Sequence, residues 1–207
     1  KNGVAKVTMI GKVTKEILFK GLKFPDWRAI KLLAKLRNRK DDTIMLAIVE
    51  ELAKDGLEVV DQTLYLKPLM PACGVLSRRK PTADEEDDIR FGFVTAKAMG
   101  GMDIGQTVVV KNKAVMAVEA IEGTDACIRR GGALGREKSV VVKVAKPNQD
   151  PRFDVPAVGK QTILSMIESQ CNVLALEAGR TLFVEQDEVL NLANRHNICI
   201  CAVDKNF

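Results

Sequence analysis

With 207 residues, 46% of them hydrophobic, the chain can bury a real core as one large domain or two small ones. Aromatic residues make up only 4%, so Val, Ile, Leu and Ala must fill the interior, and no apolar run approaches the ~20 residues of a bilayer-spanning helix. The net charge of +5 is uneven: residues 1–40 carry twelve Lys and Arg against Glu16 and Asp26, so the remainder is acidic, a balance that suits an anionic substrate or membrane surface better than nucleic-acid readout.

The chain opens at Lys1-Asn2-Gly3 with neither a signal peptide nor an initiator methionine, and reads as a fragment that begins inside a domain. Val4–Ile10 is predicted as a strand, followed by the loop Gly11-Lys12-Val13, whose Gly11-Lys12 either brings backbone and ammonium to a ligand or is plain loop, two residues being no phosphate loop. Pro25 and Asp26 open a helix to about Asn38. Trp27, Ile30, Leu33 and Leu36 recur on it at helical spacing, beside a stripe of Arg28, Lys31, Lys35 and Arg39. That stripe is either a solvated face or an attraction to anionic lipid. Asp42 caps a second helix burying Met45, Ile48, Val49, Leu52 and Ala53, which Gly56 stops, and Leu57–Val60 is the next strand. Residues 1–63 thus read as the remainder of an N-terminal α/β domain.

Residues 64–81 are punctuated by proline and glycine without period and read as a linker. Thr82-Ala-Asp-Glu85 is a capping box for a helix that buries Ile89, Phe93 and Ala96 and ends at Gly100-Gly101. A hairpin turning near Asn112-Lys113, a helical turn at Gly123–Arg130 and a strand at 139–145 follow. After them come a helix at 160–170, strands at 173–177 and 181–184, a helix at 187–196 and a last strand at 198–203. Residues 82–207 read as a C-terminal α/β domain: a mixed, mostly parallel sheet with helices and an edge hairpin.

Cys73, Cys127, Cys171, Cys199 and Cys201 are unpaired in spacing, which fits a reducing compartment and buried apolar packing rather than zinc or disulfides. His196 is the only histidine, so a histidine triad or multi-histidine metal site is excluded, and any metal must be oxygen-ligated.

Two segments carry charges that core packing does not require. In Val118–Arg130 (VEAIEGTDACIRR) a strand runs through Glu122, Gly123, Thr124 and Asp125 into a basic helical turn. Free helix amides there face an anion while the carboxylates hold a cation, although Asp125 alone reads equally as a charge complementing the helix dipole. In the second, the strand at 139–145, which carries Lys143, runs through Lys146 and Gln149 into Asp150-Pro-Arg152-Phe-Asp154. Asp150 and Asp154 alone read equally as Asx-turn residues. Together with Arg129 and Arg130, the pair of segments points to phosphate chemistry run by a divalent metal and lysines. Glu177-Ala-Gly either joins this site or terminates its strand.

VEAIEGTDACIRR, VVVKVAKPNQDPRFDVPAVG, LALEAGRTL and MGGMDIGQTVVV, with VTMIGKV, AIKLLAKL and GVLSRRKPT earlier in the chain, closely resemble the LpxI-type UDP-2,3-diacylglucosamine pyrophosphatases of bacterial lipid A biosynthesis. The resemblance implies two α/β domains joined by a linker, in a homodimer whose partners exchange domains. It implies hydrolysis of UDP-2,3-diacylglucosamine to UMP and 2,3-diacylglucosamine 1-phosphate, dependent on Mg²⁺, with Mn²⁺ or Co²⁺ as substitutes. It also implies a cytoplasmic enzyme held peripherally at the inner membrane. Asp150 and Asp125 become the expected catalytic carboxylates, with Asp150, Asp154, Glu122 and Asp125 as metal ligands. Thr124, Lys143, Lys146, Gln149, Arg152 and Arg129 are expected to bind substrate. Relative to the family pattern the chain lacks a first β-α unit with a Gly-rich turn. A non-catalytic binder of a lipid-linked nucleotide sugar is the alternative. A nucleic-acid binder is disfavoured, because the basic region lacks interleaved aromatics.

Overall fold

The computed structural model describes residues 3–10, 26–34, 36 and 41–207. The chain divides into two compact units, one of residues 1–65 with 150–154, the other of residues 66–149 with 155–207.

In the first unit, β1 (Lys6–Val7) pairs in parallel with β2 (Glu58–Val59), both shorter than the runs expected from sequence. Helix α1 (Trp27–Ala34) starts as predicted at Asp26, whose carboxylate accepts from the Ala29 amide at 2.7 Å. Helix α2 (Asp41–Ala53) is stopped at Gly56, whose φ of +74° suits a residue without a Cβ. The expected buried faces need correction. Trp27 is 69% exposed and Ile30 is also exposed, Trp27 lying against the Lys31 ammonium. On α2 the buried residues are Ile44 and Val49, with Met45, Ile48 and Leu52 half-buried and Ala53 exposed. Arg28 spends its charge within the unit, bridging Glu51 at 2.6 Å and Asp55 at 2.8 Å. The loop at 11–13, the start at Pro25, the α1 extension past 36, Lys35 and Arg39 lie outside the described residues, as does the Asp42 side chain.

The second unit is built on a six-stranded sheet ordered β3-β10-β8-β6-β4-β5. Its strands are β3 (Gly74–Val75), β4 (Thr107–Lys111), β5 (Ala114–Val118), β6 (Ser139–Lys143), β8 (Cys171–Glu177) and β10 (Cys199–Val203). A separate two-stranded ribbon joins β7 (Ala157–Val158) to β9 (Leu182–Phe183). β10, β8 and β6 form a parallel centre, flanked by antiparallel β3 on one side and the β4–β5 hairpin on the other. The hairpin turns at Asn112 and Lys113 as predicted, both at positive φ, and Asp88 accepts from both of their amides. β3 falls within the stretch read as linker; its two residues pair along β10 and cover what would be an open edge.

The near-continuous apolar strands are explained by helices on both faces. On one face, α3 (Ala83–Gly101) packs Ile89, Phe93 and Ala96 onto Val108, Val110, Val140, Val142, Val173, Cys199 and Cys201. On the other, α4 (Thr124–Gly135), α5 (Lys160–Glu168) and α6 (Gln186–Arg195) cover the alternate row, Val109, Val141, Leu174 and Ile200. All five cysteines are free; four are buried, and Cys73, expected inside, is exposed.

Thr82 and Glu85 form the predicted capping box. Glu85 also receives Arg79 at 2.6 Å. Burial works to raise the Glu85 carboxyl, but the bonds from Arg79 and the Thr82 amide outweigh it and hold it below its ordinary 4.5. A folded value below the unfolded one gives stability that is present above about pH 4.5 and lost as pH falls through the folded value. Acid unfolding of the wild type is therefore expected to begin with this loss, and Arg79→Met should flatten the stability-versus-pH curve below about pH 4.5; parallel curves would remove the pair from the account. A second prediction concerns α4. A Cβ on Gly131 would meet the Val109 side chain at 2.5 Å, and Val109 is wholly enclosed. Gly131→Ala should cost about 1–3 kcal/mol despite the gain in helix propensity, read by urea denaturation. An unchanged midpoint would show that the α4–β4 contact can yield.

Candidate functional site

Strand register brings the chemistry of the second unit to one end of the sheet. Lys143 and Glu177 are the last residues of parallel β6 and β8. β4 runs the other way, so its first residue, Thr107, stands opposite Lys143. β5 returns, and the Glu119 amide just past its end donates to the Thr107 carbonyl at 2.8 Å. The first turn of α4 follows directly. Carboxyl ends of parallel strands beside a helix N-terminus are where α/β proteins hold anionic ligands.

At this end a polar layer replaces the apolar row that faces α4. Lys143 lies two residues past Val141, Glu119 two past Ala117, and Thr107 two before Val109. The Lys143 ammonium, on a residue only 6% exposed, donates to Thr124 Oγ1 and to the Ala157 carbonyl, both at 2.9 Å. Thr124 Oγ1 in turn donates to Glu119 Oε1 at 2.9 Å. α4 is preceded at its N-cap by Gly123, which has φ +84° and no side chain with which to cap the first-turn amides. Cys127 sits in the same layer; burial first, then the Glu119 carboxylate, pushes its thiol up to about 12, so it is no nucleophile at neutral pH.

A second polar cluster fixes the loop after β6. Glu177 accepts from the Lys97 ammonium at 2.9 and 3.0 Å and from the Ala145 amide at 2.7 Å. Lys97 also donates to the Ala145 carbonyl. Lys146 bonds Asp103 at 2.7 Å, and its amide donates to Gln149 Oε1, while Gln149 Nε2 reaches Gln106. Gly100 lets α3 approach this loop: a Cβ there would stand 3.3 Å from the Lys146 Cα.

The structure thus brings Thr124, Lys143, Lys146 and Gln149 to one sheet end. The other expected residues are placed differently. Arg129 pairs with Glu168 on the outer side of α4 and α5. Glu122 accepts from Arg130 at 2.5 Å; bonding by its own backbone amide, then by Arg130, holds its carboxyl below the ordinary range. Asp125 lies half-buried in the first turn of α4. Asp150, Arg152 and Asp154 belong to the first unit. There Asp150 is an Asx-turn residue: Oδ1 accepts from the Arg152 amide at 3.0 Å, and the Arg152 guanidinium grips both oxygens. The bond from Arg152 holds the Asp150 carboxyl below the ordinary range, so it is ionised at neutral pH and no proton donor.

Among the described residues, no three His, Cys, Asp or Glu side chains stand together as a metal cage. Mg²⁺ does not require one, because it commonly takes one or two carboxylates and completes its shell with water and substrate phosphate. Asp150 and Asp154 share one turn, the Asp154 amide donating to the Asp150 carbonyl at 3.0 Å, and are chemically a donor pair of that kind.

Glu119 and Lys97 were not among the residues expected from sequence. Continuing the alternation of β5 past Ala117 would have found Glu119 on the buried row; nothing local marks Lys97, which lies 80 residues from its partner. Removing Lys97 leaves the buried Glu177 carboxylate with the Ala145 amide and the Arg180 guanidinium at 3.5 Å as its remaining partners. Lys97→Met should cost about 3 kcal/mol, and adding Glu177→Gln should recover part of it, as measured by urea denaturation. Additive losses would mean that the pair is uncoupled.

Residues 72–201 match the LpxI C-terminal domain and residues 1–69 the LpxI N-terminal domain. The chain is 31% identical over 191 residues to the UDP-2,3-diacylglucosamine pyrophosphatase LpxI of Caulobacter vibrioides, an alignment spanning 87% of this chain and 68% of that protein. With family matches over both units and a relative aligned along most of its length, the chain belongs to the LpxI family.

Proposed function

We propose that this chain is a UDP-2,3-diacylglucosamine diphosphatase that releases UMP and 2,3-diacylglucosamine 1-phosphate in lipid A biosynthesis. Family membership supports the reaction class. The observation that carries the reading in the structure is the buried Lys143 ammonium at the carboxyl end of β6, bonded to Thr124 in the uncapped first turn of α4. A buried, bonded cation beside open helix amides is built to receive a phosphate.

In the proposed reaction water adds to one phosphorus of the pyrophosphate, the bridging P–O bond breaks, and a proton passes to solvent. No covalent enzyme intermediate is required. Lys143 and Lys146 stabilise negative charge that grows on the phosphate oxygens. Thr124 and Gln149 orient the phosphates, and Arg152 keeps Asp150 ionised. Asp150 and Asp154 are the residues to hold Mg²⁺, or Mn²⁺ or Co²⁺, which when bound neutralises phosphate charge and orients water. Glu122 and Asp125 are the second carboxylate pair of the proposal. The reading also includes a homodimer with exchanged domains, held peripherally at the cytoplasmic face of the inner membrane, where a diacylated substrate resides. No helix among the described residues is long and apolar enough to cross a membrane.

The test is UMP release from UDP-2,3-diacylglucosamine with Mg²⁺ and then with EDTA. Release is expected only with metal, and Asp150→Asn and Lys143→Met should each lower kcat/KM by about 10²–10³. Binding of the nucleotide sugar without turnover, with metal present, would instead favour a non-catalytic binder.

A further inference from the structure

The Glu119 side chain is not accounted for by packing. The residue is 8% exposed, yet only one of its carboxylate oxygens is bonded: Oε1 accepts from Thr124 Oγ1, while Oε2 is buried with no partner among the described residues. A buried carboxylate with an unsatisfied oxygen has lost its hydration without full compensation, a cost to the fold. A residue kept only to fill this volume need not carry a charge. The backbone around it is equally constrained. A Cβ on Gly105 would collide with the Glu119 carbonyl oxygen at 2.1 Å, so the chain is packed hard against this residue.

The direction of the bonds shows what the carboxylate does. The Lys143 ammonium has only protons to give, so Thr124 Oγ1 must accept from it. The single Thr124 hydroxyl proton therefore points to Glu119, which as a carboxylate can only accept. Glu119 thus fixes the rotor of Thr124, turns its lone pairs to Lys143, and places a negative charge two bonds behind the ammonium.

We propose that Glu119 is a positioning residue for pyrophosphate hydrolysis, acting through Thr124 to orient the Lys143 ammonium, and is retained at a cost in stability. The proposal rests on the reading of this sheet end as the phosphate site. It separates two properties that a structural residue would lose together.

The test compares Glu119→Gln, Thr124→Val, the double variant and Lys143→Met in the full chain, by kinetics on UDP-2,3-diacylglucosamine with Mg²⁺ and by thermal unfolding. Glu119→Gln is nearly isosteric, but its amide can present a donor where the carboxylate only accepts. It is expected to lower kcat by about tenfold or more with KM within about threefold, while the unfolding midpoint stays level or rises by a few degrees. The double variant should be no slower than Thr124→Val alone, because Glu119 acts through that hydroxyl. Unchanged kcat in Glu119→Gln, multiplying losses in the double variant, or a lower unfolding midpoint accompanying the loss of activity would each overturn the proposal. Full activity in Lys143→Met would instead remove the underlying reading of the site; loss in Lys143→Met with full activity in Glu119→Gln would sink the Glu119 role alone.

Discussion

Everything in the larger unit follows from three parallel strands that are covered on both faces. β6, β8 and β10 lie between α3 on one side and α4, α5 and α6 on the other, and their side chains are excluded from water along most of their length. Such strands can carry polar groups only where the helices stop covering them. Lys143 and Glu177, each the last residue of its strand, mark that limit. The same constraint explains the glycines of α3 and α4. Gly92 and Gly131 let helix backbone lie against Val142 and Val109 at distances that a Cβ would make impossible.

Two polar clusters at the sheet end solve different problems. Lys97, Glu177 and the Ala145 backbone, with Arg180 at the edge, satisfy one another, so the loop after β6 leaves the sheet in one direction. The Lys143–Thr124–Glu119 chain is open at its far end, where one buried oxygen has no partner. A satisfied network rigidifies the loop it holds, whereas a buried carboxylate oxygen without a partner costs the fold free energy.

Much of this was legible in the sequence. The Thr82–Glu85 capping box, the Asn112-Lys113 hairpin turn and the order of helices and strands from 82 onward follow from local chemistry, and the structure contains them all. The small first unit was read less well, because helical spacing on Trp27 and Ile30 indicates a face but not what covers it. Lys143, Lys146 and Gln149 were visible as charge and amide placed after an apolar strand. Arg129 was not separable from Thr124 on sequence alone: it lies five residues along the same helix, and only packing of α5 against α4 gives it Glu168 as a partner.

The sequence by itself determined most helices and strands of the second unit, its mostly parallel sheet and the family, since these rest on periodicity, capping and contiguous motifs. Only the tertiary structure decided that Glu119 stands behind Thr124 and Lys143, that Lys97 neutralises Glu177, and that Asp150 is held by Arg152 in an Asx turn. The first two are contacts between elements far apart in the chain or across a turn whose direction is set by strand register. The third was one of two local readings that sequence left open. Register and helix packing are sums over many weak apolar contacts, and no single residue type announces their outcome.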